Sequence, residues 1–169
     1  MKNEKRKEIF GREFKLKFMG YGDWIDEPDA VEFEYKGLKC LVARVVKREP
    51  CHEEAYFGGH LCGYVFLPKS HPLYGKSASE VELSCWCGIT YTEETPEGWM
   101  VGFDCGHSTD LVPTMAELRK KYSLSDEIFP IPEEYKNSPL FNPTYKNIDF
   151  CIKQCKSMAK QAAKMMVAA

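Results

Sequence analysis

Eight cysteines and four histidines carry most of the nucleophilic and metal-ligating capacity of this chain. Cys85-Trp86-Cys87 and Cys105-Gly106-His107 each place two soft ligands two residues apart. On strands, that spacing turns both side chains to one face. A turn centred near Thr95 would set Cys85 roughly opposite residues 105–107. Cys85, Cys87, Cys105 and His107 are therefore the candidate ligands of a tetrahedral zinc ion. Zinc sites more often use C-x-x-C knuckles, and C-x-C on a flat strand aims poorly at one ion, so no cofactor is favoured.

Cys105 and His107 also suggest a nucleophile and its base. A thiolate beside an imidazole attacks acyl carbons, and a carboxylate such as Asp104 or Asp110 can orient the ring. Residues two apart share a face without necessarily touching, so the competing expectation is a buried Cys105 and a His107 that braces its loop. His107-Ser108-Thr109 is one H-x-T, but two-histidine phosphodiester chemistry needs a second one. His52, His60 and His71 are followed two residues later by Glu54, Cys62 and Leu73.

A third possibility is a ligand pocket without catalysis. His71, Tyr74, Tyr91, Asp104, His107 and Asp110, with Trp99, lie on expected loops and strand ends, where mixed aromatic and polar groups bind small molecules. Gly58-Gly59 is too short to cradle a phosphate, and no dinucleotide, Walker-type or kinase fingerprint is present.

Positioning these groups falls to a mostly β framework. Residues 1–13 are largely charged and read as a frayed end, with a single α+β domain over 14–169. Phe14, Leu16 and Phe18 alternate with lysines, as in a half-buried strand. Residues 31–35 and 38–46 predict a hairpin about Lys36-Gly37. Residues 47–59 read as a mobile loop. Residues 61–67 form an apolar run that predicts a central strand, and residues 81–92 and 99–105 predict two more. The sum is an antiparallel, meander-like sheet of five to six strands.

Ser77 and Glu80 have capping-box spacing, and so do Thr114 and Glu117 ahead of a helix to about Tyr122. Asn142 with Pro143 predicts the start of a long C-terminal helix. Its apolar stripe runs through Tyr145, Ile148, Ile152, Cys155, Ala159, Ala162 and Met166. This helix, about 36 Å long at 1.5 Å per residue, is expected to cross one face of the sheet with its lysines in solvent. Ala159, Ala162 and Ala163 could instead admit a second copy, making the helix an interaction module and the protein a homodimer.

Composition narrows the setting. The net charge is −2 over 169 residues, which argues against nucleic-acid binding. The first twenty residues carry seven lysines and arginines and no apolar run, so no secretory signal is expected. No stretch approaches the roughly 18 apolar residues of a membrane span. The expected compartment is the cytoplasm, where cysteines stay reduced.

One resemblance accompanies these patterns. Gly63-Tyr64-Val65, Pro68, His71-Pro72-Leu73-Tyr74-Gly75, Gly88-Ile89-Thr90-Tyr91 and Gly102-Phe103-Asp104-Cys105-Gly106-His107 with Asp110 are similar to a family of small uncharacterised phage and prophage proteins. The likeness spans residues 35–113. Members often carry His-Gly-Gly where this chain has Trp86-Cys87-Gly88, so Cys85 and Cys87 depart from the pattern. The resemblance implies a phage or mobile-element accessory protein, and one pocket shared by the loops 68–76 and 104–113. Its occupant would be a small molecule or a host protein. The rival expectation is a hydrolase using Cys105 or His107.

Overall fold

The computed structural model describes residues 4–48, 56–121, 137–139 and 142–167. Six strands form one antiparallel sheet: β1 (Lys5–Lys7), β2 (Ala30–Tyr35), β3 (Leu38–Arg48), β4 (Tyr56–Leu67), β5 (Tyr91–Thr95) and β6 (Gly98–Asp104). Their order across the sheet is β1-β2-β3-β4-β6-β5. Among the described residues three α-helices accompany them: α1 (Arg12–Met19), α2 (Pro113–Lys121) and α3 (Ile148–Val167). The α+β class and the long C-terminal helix on an antiparallel sheet follow the sequence pattern.

Alternation along the strands divides the sheet into two faces. Cys40, Val42, Leu61, Val65, Val101 and Phe103 point to one face and join Ile148, Cys151, Ile152, Cys155, Met158, Ala159 and Ala162 of α3 in the main core. Burying one such Ile or Met side chain contributes about 1.5–3 kcal/mol. Gly63 lets the helix approach closely: a methyl group there would lie 2.7 Å from Cys155 Sγ and collide with the Phe103 ring. The β2–β3 turn is tight, with Lys36 and Gly37 both at positive φ (56° and 75°), the geometry of two-residue hairpins.

Several expected elements differ. Residues 14–18 are helical, because Phe14 and Phe18 lie one turn apart and their rings meet at 4.8 Å. Lys15, expected in solvent, is fully buried. Lys5–Lys7 is no frayed end: it pairs with β2. β3 and β4 extend into the expected loop, to Arg48 and from Tyr56, with a bulge at Val45/Val46. Residues 81–90 form no strand, and β5 begins only at Tyr91. Trp86 and Cys87 sit in a turn there, with Cys87 at φ 52°.

The helix starts also shift. Ser77 and Glu80 do form their capping box. Thr114 caps nothing: it lies inside α2, and its hydroxyl donates to the Gly58 carbonyl. Asn142 and Pro143 precede α3, Asn142 at a bend where its N–H donates to the Ser138 carbonyl. There Thr144 forms a parallel bridge with Asp110, and its carbonyl accepts from Leu111 N–H. The true cap is Asn147, whose Oδ1 accepts from Phe150 N–H at 2.9 Å, so the helix is about 30 Å long at 1.5 Å per residue. Ala159 and Ala162 are fully buried in the core beside the sheet, and Ala163 is half-buried. No helix among the described residues is long and apolar enough to cross a membrane.

Candidate functional site

His71 and His107 do not share a cavity. His71 is buried; its Nε2 lies 3.1 Å from the Ala162 carbonyl and its Nδ1 accepts from Leu73 N–H. It anchors the loop after β4 to the far end of α3. Tyr74 stays with that loop, its hydroxyl donating to Glu94 and its ring 5.7 Å from Trp99. His107 belongs to the opposite end, beside the bridge that precedes α3. Fourteen residues of helix, about 21 Å, separate Ile148 from Ala162. The β4–β6 register gives the same separation: Leu67 faces Trp99 at one end, and Cys62 faces Asp104 at the other.

Asp110 is buried and serves as a staple. It accepts from Trp86 Nε1 at 3.2 Å and from His107 N–H at 3.1 Å, and its Oδ2 lies 3.2 Å from His107 Nδ1. Lys146 stands 3.5 Å from its other oxygen and over the Trp86 ring. Asp110 therefore orients His107, as the sequence suggested, but its acceptor sites are occupied by the protein.

Cys105 does not accompany His107. Its side chain faces the core, where its sulfur lies 3.7 Å from Cys151 Sγ. Contact with that thiol, then burial, pushes its pKa far up, so it offers no thiolate for nucleophilic attack. Cys85 packs against the core, and burial raises its thiol to about 11, whereas Cys87 is exposed. Among the described residues no three His, Cys, Asp or Glu side chains are grouped to hold a metal ion. All seven described cysteines are free.

What the fold does build is a cleft on the sheet face opposite α3. Gly63 and Val65 point to the helix, so His60, Cys62 and Tyr64, in the other phase of β4, point away from it. The cleft holds about 530 Å³ and is bounded by Val45, Phe57, Tyr64, Tyr91, His60 and Asp104, with Lys47 and Thr90 also on its lining. Tyr64 and Tyr91 meet edge to face, their centroids 6.0 Å apart. Tyr91 and Asp104 are the two expected ligand-binding residues that lie here.

Asp104 and His60 are the titratable polar groups of this lining besides Lys47, Cys62 and the tyrosines, and His107 stands behind Asp104 outside it. Asp104 Oδ1 accepts from Gly106 N–H at 2.9 Å and lies 3.8 Å from His107 Nδ1. Burial alone would raise its pKa, but the Gly106 N–H, a Thr90 hydrogen bond and the two imidazoles outweigh it and hold the carboxylate below its usual range. His60 behaves oppositely: burial lowers its pKa more than Asp104 and Asp110 raise it. Its Nδ1 is the one buried side-chain nitrogen or oxygen among the described residues with no hydrogen-bond partner. Leaving such an atom unsatisfied costs about 1–3 kcal/mol. Burial also raises the Cys62 thiol to about 12, so this cysteine lines the cleft as a neutral surface.

His60 is not legible as a site residue because the apolar run that predicts the strand begins at Leu61, while Cys62 and Tyr64 lie within that run and read as core. Carried back to Tyr56, the alternation puts His60, Cys62, Tyr64 and Phe66 on one face. No protein-family model, curated protein or solved structure matches this chain.

Proposed function

We propose that the chain binds a small molecule in the cleft on the sheet face formed by β3, β4, β6 and β5, as an accessory protein of a phage or mobile element. One observation carries the binding half: aromatic walls (Phe57, Tyr64, Tyr91) and polar side chains (His60, Asp104) converge on one concave surface of about 530 Å³. Mostly apolar walls with a few placed polar groups are the usual make-up of small-ligand sites. A concave site also favours a small molecule over a host protein. The mobile-element half rests on the sequence resemblance.

The test is amide chemical-shift mapping with a panel of small ring compounds. Shifts clustered on His60, Tyr64, Tyr91 and Asp104 are expected. Shifts scattered over the surface, or confined to the loop at His71 and Tyr74, would overturn the proposal.

A further inference from the structure

We infer that the ligand of this cleft is a flat, positively charged group bearing N–H donors, of the amidinium, guanidinium or protonated amino-heterocycle class. The inference rests on the proposed cleft and names its occupant.

The first observation is Asp104. A carboxylate offers about four acceptor positions. Gly106 N–H and Thr90 use two of them, and the side chain keeps 32% exposure on a site wall. It therefore presents a negative charge with open acceptor positions to whatever enters. The nearest imidazole, His107, is already turned to Asp110 at 3.2 Å, against 3.8 Å to Asp104. His60 is held toward its neutral form by burial and supplies no fixed countercharge.

The second observation is the pair of tyrosines. Their edge-to-face contact joins the edge of one ring to the face of the other, and Tyr91 is 42% exposed. Exposed ring faces carry the negative part of the aromatic quadrupole, which attracts planar cations. Both tyrosines line the same cleft as Asp104. An anion would meet Asp104 and the tyrosine faces, and only Lys47, an exposed residue, would favour it. A planar cation instead gains a charge-assisted hydrogen bond and a stacking surface together.

Benzamidine, benzoate and benzyl alcohol share one ring and differ in charge, so they separate the possibilities. With the intact chain, benzamidinium is expected to shift the His60, Tyr64, Tyr91 and Asp104 amides and to bind at least tenfold more tightly than the other two. Asp104→Asn keeps a carbonyl oxygen for Gly106 N–H and is expected to weaken benzamidinium at least tenfold. Tyr91→Leu, at an exposed position, is expected to weaken it severalfold even if the Asp104 variant fails to fold. Benzoate binding as tightly as benzamidinium, or no loss in either variant, would overturn the inference. Benzyl alcohol bound in the cleft without benzamidinium would remove the charge assignment and leave the cleft. If none of the three moves a cleft resonance, both proposals fall.

Discussion

Two polar clusters among the described residues are built on opposite terms. In the first, Lys15, Asp29 and Arg44 are buried between α1, β3 and the segment before α3, and every charge has its partner. Asp29 accepts from Ile9 N–H, Phe10 N–H and Arg44 Nε, and lies 3.1 Å from Lys15 Nζ. Arg44 also donates to the Gly59 carbonyl, Tyr145 and Glu27, while Glu27 accepts from Tyr145 and from the first amide of α3. In the second, around His60 and Asp104, an imidazole nitrogen goes unpaired and a carboxylate faces a cleft. A closed network joins segments distant in sequence. In the second, the Asp104 carboxylate stays open to the cleft, which is why it is the candidate site although the first contains more charge.

The largest expected effect is on the closed cluster. Asp29→Ala leaves two buried cations short of their carboxylate and should cost about 3–5 kcal/mol, read from urea unfolding. Loss below about 1 kcal/mol would show that water enters this cluster and that the contrast is false.

Acid should separate His60 from the carboxylates of both clusters, since Asp104 and Asp29 are both held below their usual range. His60 has a folded-state pKa below its ordinary 6.5. Its contribution to stability is therefore whole above pH 6.5 and is lost as pH falls from there through the folded value. Asp29, its pKa raised by burial but lowered further by the Phe10 and Ile9 amides, Lys15 and Arg44, lies below 3.8. Its contribution survives to about pH 3.8 and is lost only as pH falls further. Stability against pH should thus decline in two stages, and His60→Gln should flatten the first while leaving the second.

Smaller still is the cost of altering the cleft itself. Asp104→Asn should change unfolding free energy by no more than about 1 kcal/mol, the scale of one hydrogen bond, despite its expected loss of ligand. Removing the carboxylate of the open cluster should therefore be several times cheaper than removing that of the closed one. Finally, brief alkylation of the native chain near neutral pH should label Cys87 ahead of Cys40, Cys62, Cys105, Cys151 and Cys155. Equal labelling, read by mass spectrometry, would mean that the sheet opens readily.

Much of the framework was legible. Alternation marked β2, β3, the core of β4 and β6, and the three–four spacing marked α3. The failures share a cause: local patterns cannot report which distant partner claims a residue. Lys15 interrupts an apolar pattern and looks solvent-facing, yet Asp29 and the Glu27 carbonyl draw it inside. Asn142 has the composition of a cap, but the Thr144 bridge to the loop at Asp110 holds the chain outside the helix there and passes the role to Asn147. Within the site, Tyr91 and Asp104 were found because they sit at strand ends, where function concentrates. His71 satisfied the same rule but is claimed by a backbone carbonyl of α3. Cys105 and His107 were grouped by spacing, yet they face different surroundings, one in the core and the other at the staple formed by Asp110.

The strand order carries a consequence for biosynthesis. β4 lies between β3 and β6, so its second neighbour is made only after residues 68–97 have followed it off the ribosome. At about 5–20 residues per second, that interval is roughly 2–6 s. Throughout it, the most apolar strand of the sheet presents one bare edge, and the helix that will cover its inner face is more than forty residues further downstream. The nascent chain is therefore most vulnerable to misassembly in those seconds, and a chaperone that holds extended apolar segments would find its footing at residues 61–67.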